Sequence, residues 1–236
     1  MPADIADPLA NRLLASLPSQ DFERLKPSLK TISLAQGQLL SEPGDEVDQV
    51  HFPHNGMVSL LVVLKDGKAV ECATIGREGV IGATAGLGLH RSIARAVIQL
   101  PMVASRISAT AFRNAVKDSK PLRDLITRHQ ETMLMQAQVT AGCNALHAVE
   151  ARLARWILQS RDRADSDTVA LTQEFLAEML AVRRTSVSEV AQQLQSAKLI
   201  RYSRGVIEIL NRKGLEQKAC ECYRTVVDYT AAAMSS

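Results

Sequence analysis

Aromatic side chains are scarce in this chain: four Phe, three Tyr and one Trp among 236 residues. Any core must therefore be mainly aliphatic. Cysteine is scarce too. Cys72, Cys143, Cys220 and Cys222 form no CxxC pair and no disulfide-framework spacing, so free thiols in a reducing compartment are expected. Cys220-Glu221-Cys222 could chelate in principle, but nothing near it supplies partner ligands, and no metal site is expected. No apolar run approaches the ~20 residues of a membrane-spanning helix, which argues against a membrane partner. The first residues, MPADIADPLANRLLASL, lack the basic-then-apolar order of a signal peptide, so a cytoplasmic location is expected. HExxH, P-loop and Ser-His-Asp patterns are also missing, and an enzyme is not the expected reading.

What is present is ordinary in bulk and uneven in detail. A hydrophobic content of 46% with 22% charged residues excludes wholesale disorder. The length suits one large domain or two modest ones. All of the net charge of +3 lies beyond residue 150. Between Arg183 and Arg204 there are five basic residues and one acid, Glu189, a balance that suits phosphate attraction.

Taken in order, residues 1–28 read as short helices, interrupted at Pro18 and restarted by a capping-type Ser19. From Leu29 to about Ser105 the pattern is β. Short runs such as Thr31–Leu34, Val50–Phe52, Met57–Leu64, Ala69–Ile75, Ile93–Gln99 and Met102–Ile107 alternate with Gly-containing turns. This suggests an antiparallel roll or barrel. Ser108 then caps a short helix, Ala109 to Val116. After Pro121 a helical stretch runs to about Arg161, which would span roughly 60 Å as one helix. That is longer than a compact domain needs, and a seam through Leu122, Leu125, Ile126, Met133, Ala137, Val139, Thr140, Cys143 and Leu146 suggests a parallel homodimer. Arg161 to Thr168 reads as a polar linker.

The most informative stretch is LTQEFLAEMLAVRRTSVSEVAQQLQSAKL, 171–199. Thr172 is a plausible N-cap, and Phe175, Leu176, Met179 and Leu180 recur at helical spacing. Ala181-Val182 marks a turn. The second helix, from about Arg183, buries Val187, Val190, Ala191 and Leu194. Arg184, Thr185, Ser188 and Glu189 are left facing outward, where a helix-turn-helix presents base-reading side chains. Ile200–Ser203 and Val206–Leu210 flank Arg204-Gly205 as a small hairpin with a basic tip. Arg212 to Ala233 reads as a closing helix.

The order of roll, long helix and winged helix-turn-helix resembles the Crp/Fnr family of bacterial transcription regulators over residues 20–215. The resemblance rests on Gly37, Gly44-Asp45, Gly56, Gly67 and Gly76, on EARLARWIL, and on the helix-turn-helix stretch. It implies an α+β fold: an N-terminal antiparallel β-roll (a cyclic-nucleotide-binding-like jelly roll), a long dimerisation helix and a C-terminal winged helix-turn-helix. The corresponding domains are 1–118, 119–161 and 162–236. By this resemblance Thr172 and Gln173 touch the DNA backbone, and Arg184 reads a guanine, bidentate to O6 and N7. Thr185 and Glu189 take the other two base-reading positions, where the best-known members carry glutamate and arginine. Arg183, Ser186, Ser188 and the wing's Arg204 complete the expected DNA-binding set. Double-stranded DNA, a second copy of the chain and RNA polymerase are the implied partners.

The sensor departs from the family pattern. Cyclic-nucleotide-binding relatives hold the ribose hydroxyl with a Gly-Glu pair and the phosphate with an Arg-Ser pair. Here the first pair reads Gly82-Ala83, and alanine cannot accept that hydrogen bond. Arg91-Ser92 looks like the second pair, with Arg95 as another nearby cation; counting back from Phe112 puts Ser92 at the arginine position. Gly76, Gly79 and Gly82 could cradle some other anion, or merely permit turns. cAMP, an iron–sulfur cluster and haem are not expected, since no N-terminal cysteines cluster and His51, His54 and His90 read as ordinary residues. A homodimeric regulator of a palindromic operator is the expected function, with no effector assigned beyond a possible small molecule. The alternative is a cyclic-nucleotide-responsive module acting through protein partners.

Overall fold

A computed structural model describes residues 7–88 and 90–235; the first six residues of the expected N-terminal helices lie outside that range. The chain divides into two compact units, Met1–Leu60 with Thr74–Leu134 and Tyr229–Ser236, and Leu61–Ala73 with Met135–Asp228.

In the first unit, helices α1 (Arg12–Ala15) and α2 (Ser19–Leu25) precede the strands. Asn11 caps α1: the Leu14 N–H donates to its side-chain oxygen, and its buried amide donates to the Pro53 and Gly79 carbonyls. Ser19 is not the cap expected for α2. Pro18 holds that position with no side-chain bond, and Ser19 is the first helical residue. Seven strands follow among the described residues: β1 (Lys30–Leu34), β2 (Leu39–Ser41), β3 (Gln49–Pro53), β4 (Met57–Val63), β5 (Ala69–Ile75), β6 (Arg95–Leu100) and β7 (Met102–Ser108), of which the end of β4 and most of β5 fall to the second unit. They make two sheets, ordered β1-β7-β3 and β2-β6-β4-β5. Pairing of β7 is antiparallel on both sides, with Leu34 opposite Met102 and Val50 opposite Ile107. Strand β2 has no clear signal in the sequence, being three residues long and only partly buried.

Two clusters form the first unit's core. One gathers Leu34, Val58, Ile75, Ile98 and Met102. The other joins α1, α2 and β3 to α3 (Ala109–Asp118), with Phe52 and Phe112 edge-to-face at 6.0 Å. Ser108 caps α3 as its sequence suggested, accepting from the Ala111 N–H.

The long helix is two helices. α4 runs Lys120–Leu146 and α5 Val149–Ala164, because Ala148 leaves the helical region (φ −60°, ψ 149°). The 27 residues of α4 therefore span about 40 Å, not 60. Leu122, Leu125 and Ile126, expected in a dimer seam, are buried in the first unit's core. Leu134, Ala141, Ala145 and Leu146 are the exposed apolar residues of this helix. The segment read as a polar linker is helical to Ala164, and Asp162 within it accepts from Arg212 and from the Tyr223 hydroxyl.

The second unit then adds β8 (Thr168–Ala170), α6 (Gln173–Leu180), α7 (Arg184–Ser196), β9 (Ile200–Ser203), β10 (Val206–Ile209), α8 (Arg212–Lys218) and the part of α9 (Cys222–Ser235) up to Asp228. Its core is built on Leu153, Trp156, Ile157, Leu176, Leu180, Val187 and Leu194, all nearly inaccessible. The Trp156 indole donates to the buried carboxylate of Glu71 at 2.9 Å. Cys220 and Cys222 do have neighbours, contrary to expectation: folding brings Cys143 and His147 beside them from 73 or more residues away. Cys143 and Cys220 remain separate thiols with sulfurs 3.6 Å apart. The hydrogen bond between the two thiols holds Cys143 below the ordinary thiol range and pushes Cys220 above it.

Phe112→Ala removes the ring that α3 wedges against Phe52. It should cost about 3–5 kcal/mol of first-unit stability, read as a lower urea midpoint by far-ultraviolet circular dichroism. Fluorescence of Trp156, the sole tryptophan and a second-unit residue, should move less.

Candidate nucleic-acid interface and effector cavity

In the second unit the interface begins at a cap. Thr172 Oγ1 accepts from the Phe175 N–H and starts α6. α6 ends at Ala181 in the left-handed region (φ 50°, ψ 48°), which turns the chain in two residues. Arg183 sits at the N-cap position of α7 without a side-chain bond. Val187, Val190, Ala191 and Leu194 are buried, so the opposite face must be outward. There Arg183, Arg184, Thr185 and Glu189 are exposed, and Ser186 and Ser188 half-buried. The Ser188 hydroxyl lies 2.7 Å from Gln173 Oε1, a bond that joins the two helices and fixes the glutamine's orientation.

The wing is fastened to this pair. The Tyr202 hydroxyl donates to the Leu171 carbonyl, and the Leu171 N–H donates to the Gly205 carbonyl. The Tyr202 N–H donates to Gln195 on α7. Ser203 pairs with Val206, and Arg204 and Gly205 between them both have positive φ (51° and 77°). That two-residue turn matches the twist of its strands, but it is one in which an arginine is strained. The third strand of this sheet, β8, pairs with β10 and was hidden in the polar segment.

In the first unit a cavity of about 580 Å³ opens between the strands and α4. Among the expected effector residues it is lined by Gly82, Ala83 and Ser92; Gly76, Gly79, Arg91 and Arg95 are not part of its wall. Arg91 is turned to the Gly44 carbonyl, and Arg95 makes an ion pair with Glu42 at 2.9 Å. The glycines have packing roles. A Cβ on Gly79 would meet the His129 ring at 2.6 Å, and one on Gly82 (φ 80°) would meet the Gln49 carbonyl at 2.9 Å. Residues not expected at an effector site line much of the rest: exposed Asp45, Glu46 and Asp48 from the β2–β3 connection, and His129, Gln130 and Met133 from α4. His51, read as an ordinary residue, is also in the wall; His54 is buried beside the Ser105 hydroxyl at 2.8 Å.

The family model for the Crp-like helix-turn-helix domain matches residues 151–218, and that for the cyclic nucleotide-binding domain matches 31–119. The chain belongs to the Crp/Fnr family of transcription regulators. A Crp/Fnr transcriptional regulator from Eubacterium rectale is 16% identical over 90% of this chain and 97% of its own, at a TM-score of 0.68. FixK2 from Bradyrhizobium japonicum is 15% identical over 81% and 98%, at 0.69. CLP from Xanthomonas campestris, a c-di-GMP responsive global regulator, is 15% identical over 81% and 99%, at 0.65. These identities carry the fold alone. No curated protein matches. Crp/Fnr proteins are regulators and not enzymes, in keeping with the lack of catalytic patterns.

Two imidazoles give this Crp/Fnr roll a pH dependence. Burial lowers His51 to about 4, with Arg106 adding to the shift. Burial also lowers His129 to about 4, against the opposing Val80 carbonyl and Glu78. The unfolded chain therefore binds more protons than the folded one between about pH 6.5 and 4. The stabilisation is complete above about pH 6.5 and is lost as pH falls toward 4, by roughly 3 kcal/mol per imidazole. Urea midpoints measured across that range should fall for the native chain, and His51→Gln should flatten the slope.

Proposed function

We propose that the chain is a homodimeric, sequence-specific DNA-binding regulator that sets its two α7 helices in successive major grooves of a palindromic operator. The observation that carries this is the split of α7 into a fully buried aliphatic face and an exposed N-terminal row of Arg183, Arg184, Thr185 and Glu189. In this reading Arg184 takes a guanine through O6 and N7, and Thr185 and Glu189 read neighbouring bases. Thr172, Gln173, Arg183 and Arg204 face phosphates, with Ser186 and Ser188 supporting them. RNA polymerase is the expected protein partner of the bound dimer.

The dimer requirement comes from spacing: half-sites lie one helical turn, about 34 Å, apart. The exposed side of α4 supplies a candidate seam, with Leu134 60% exposed and small residues at Ala141 and Ala145. Replacing Leu134 with Glu should shift the sedimentation coefficient toward a monomer and weaken operator binding with it.

Residues 1–118 take the sensing role, 119–161 the dimer role and 162–236 the DNA-binding role. A cyclic nucleotide fits the cavity poorly. Ala83 offers no ribose acceptor, both nearby arginines are held by other groups, and acids stand at the cavity's mouth. These points also weigh against a cyclic-nucleotide-responsive module acting through protein partners. The effector, in this reading, is a small molecule without a phosphate anion, seated against His129, Gln130 and Met133.

Gel-shift titration on an operator selected from genomic fragments tests the assignment. Arg184→Ala should lose about 1–3 kcal/mol and relax one base position. Arg204→Ala should weaken all sequences alike and lower the salt slope by about one. Unchanged affinity and selectivity in Arg184→Ala would remove the basis for this orientation on DNA.

A further inference from the structure

Away from the DNA-facing surface, the second unit gathers three thiols and an imidazole at one point. Cys143 and His147 stand four residues apart, in the last turn of α4 and just beyond it, where i and i+4 side chains share a face. Cys220 and Cys222 flank Glu221 at the junction of α8 and α9. The four donor atoms all lie within 4.8 Å of one another. Cys143 Sγ and Cys220 Sγ are 3.6 Å apart, and Cys222 Sγ is 3.5 Å from His147 Nδ1.

The two shortest of these separations match the edges of a coordination tetrahedron. With Zn–S near 2.3 Å and Zn–N near 2.0–2.1 Å, tetrahedral geometry puts ligand atoms about 3.6–3.8 Å apart. A disulfide would need about 2.05 Å between sulfurs. A cubane iron–sulfur cluster seats each ligand on a different iron and needs a wider cage than this one.

The surroundings are what such a site requires and what three packed neutral thiols would not. His147 Nε2 lies 3.2 Å from a Glu221 carboxylate oxygen, while its Nδ1 faces the sulfurs; an outer carboxylate of this kind fixes the tautomer of a metal-bound histidine. Arg152 and Arg155 are buried, at 6% and 3% exposure, and their Nε atoms have no hydrogen-bond partner. Neither has a carboxylate partner among the described residues, and both lie within electrostatic reach of Cys143. A buried cation needs a counter-charge. Three thiolates around a divalent ion carry a net charge of about −1 and supply it. Half-exposed His147 leaves a path for the ion to enter.

We propose that Cys143, His147, Cys220 and Cys222 form a closed tetrahedral site for one zinc-class divalent ion. All four ligands come from the protein, so the site is structural: it ties the start of α9 to the end of α4. It stands independently of the DNA-binding reading.

The full-length chain, purified reduced and without chelator, should contain about one zinc per chain by elemental mass spectrometry. Metal-stripped protein titrated with Co(II) should bind about one equivalent and show thiolate charge-transfer and tetrahedral d–d absorption. Cys220→Ser should abolish both. His147→Cys, which converts the site to four thiolates, should keep the metal and strengthen the charge-transfer band, so the proposal remains testable if Cys220→Ser does not fold. Glu221→Gln should weaken Co(II) affinity about tenfold, the lower end of outer-shell effects for so exposed a group. Reduced native chain with neither zinc nor a tetrahedral cobalt spectrum would overturn the proposal, as would a Cys143–Cys220 disulfide formed in preference to metal binding. Stoichiometric iron and sulfide at these residues would overturn it equally.

Discussion

A single buried guanidinium holds the second unit's helices to one another. Arg152, in the first turn of α5, donates to the Leu180 carbonyl at the end of α6 and to the Asn144 side chain in the last turns of α4. A helix end leaves carbonyls unpaired and carries the negative end of the helix dipole, so a cation there satisfies both. That contact fixes where α6 stops. The next residue, Ala181, turns left-handed, and α7 begins three residues later. The angle between the two helices therefore rests on a cation whose own counter-charge has to come from somewhere. No carboxylate among the described residues pairs with it, and Cys143 and Cys220 lie within its electrostatic reach.

Among the described residues of this unit, four non-glycines lie in the left-handed region, Asp165, Ala181, Lys198 and Arg204, and two of them sit in the helix-turn-helix turn and the wing tip. Ala181 and Arg204 both occupy the left-handed region, where a side chain costs about 1–2 kcal/mol relative to glycine. Ala181 is held by its N–H donating to the Ala177 and Glu178 carbonyls. Arg204 is held by the wing's strand pairing and by the Leu171 N–H on Gly205. Glycine would serve both turns at lower cost. At Arg204 the guanidinium is the evident reason for its absence, because the tip is exposed and carries the wing's outermost charge.

The sequence was most legible where chemistry is local. Helical spacing placed Val187, Val190, Ala191 and Leu194 on one face and left Arg184 and Thr185 on the other, since amphipathic helices encode burial in their own period. Turn residues placed the wing for the same reason. The break at His147–Ala148 was not legible: neither residue is a strong helix breaker, and the chain there departs under tertiary packing. Strand β2 is too short to show a period. The cavity wall joins Leu40 to Met133 and the thiol cluster joins Cys143 to Cys222, and no window along the chain spans either. One local sign existed for the cluster, the Cys143-x3-His147 spacing on a helix, beside the more visible Cys220-x-Cys222. Each pair alone is weak, and only the fold shows that they meet.

The cavity draws part of its wall from α4, the helix proposed above to carry the dimer seam. His129, Gln130 and Met133 line the cavity from α4, and Leu134 is exposed one residue on. Met133 and Leu134 are one 100° step apart on α4, so the cavity wall and an exposed apolar residue are set by the same turn of helix. Both imidazoles in the wall are held neutral by burial, so neither offers a positive charge near neutral pH. An anionic ligand would therefore enter past Asp45, Glu46 and Asp48 to reach a wall without a free cation. The electrostatics favour a neutral or cationic occupant, and selectivity would come from the shape left between the roll and α4.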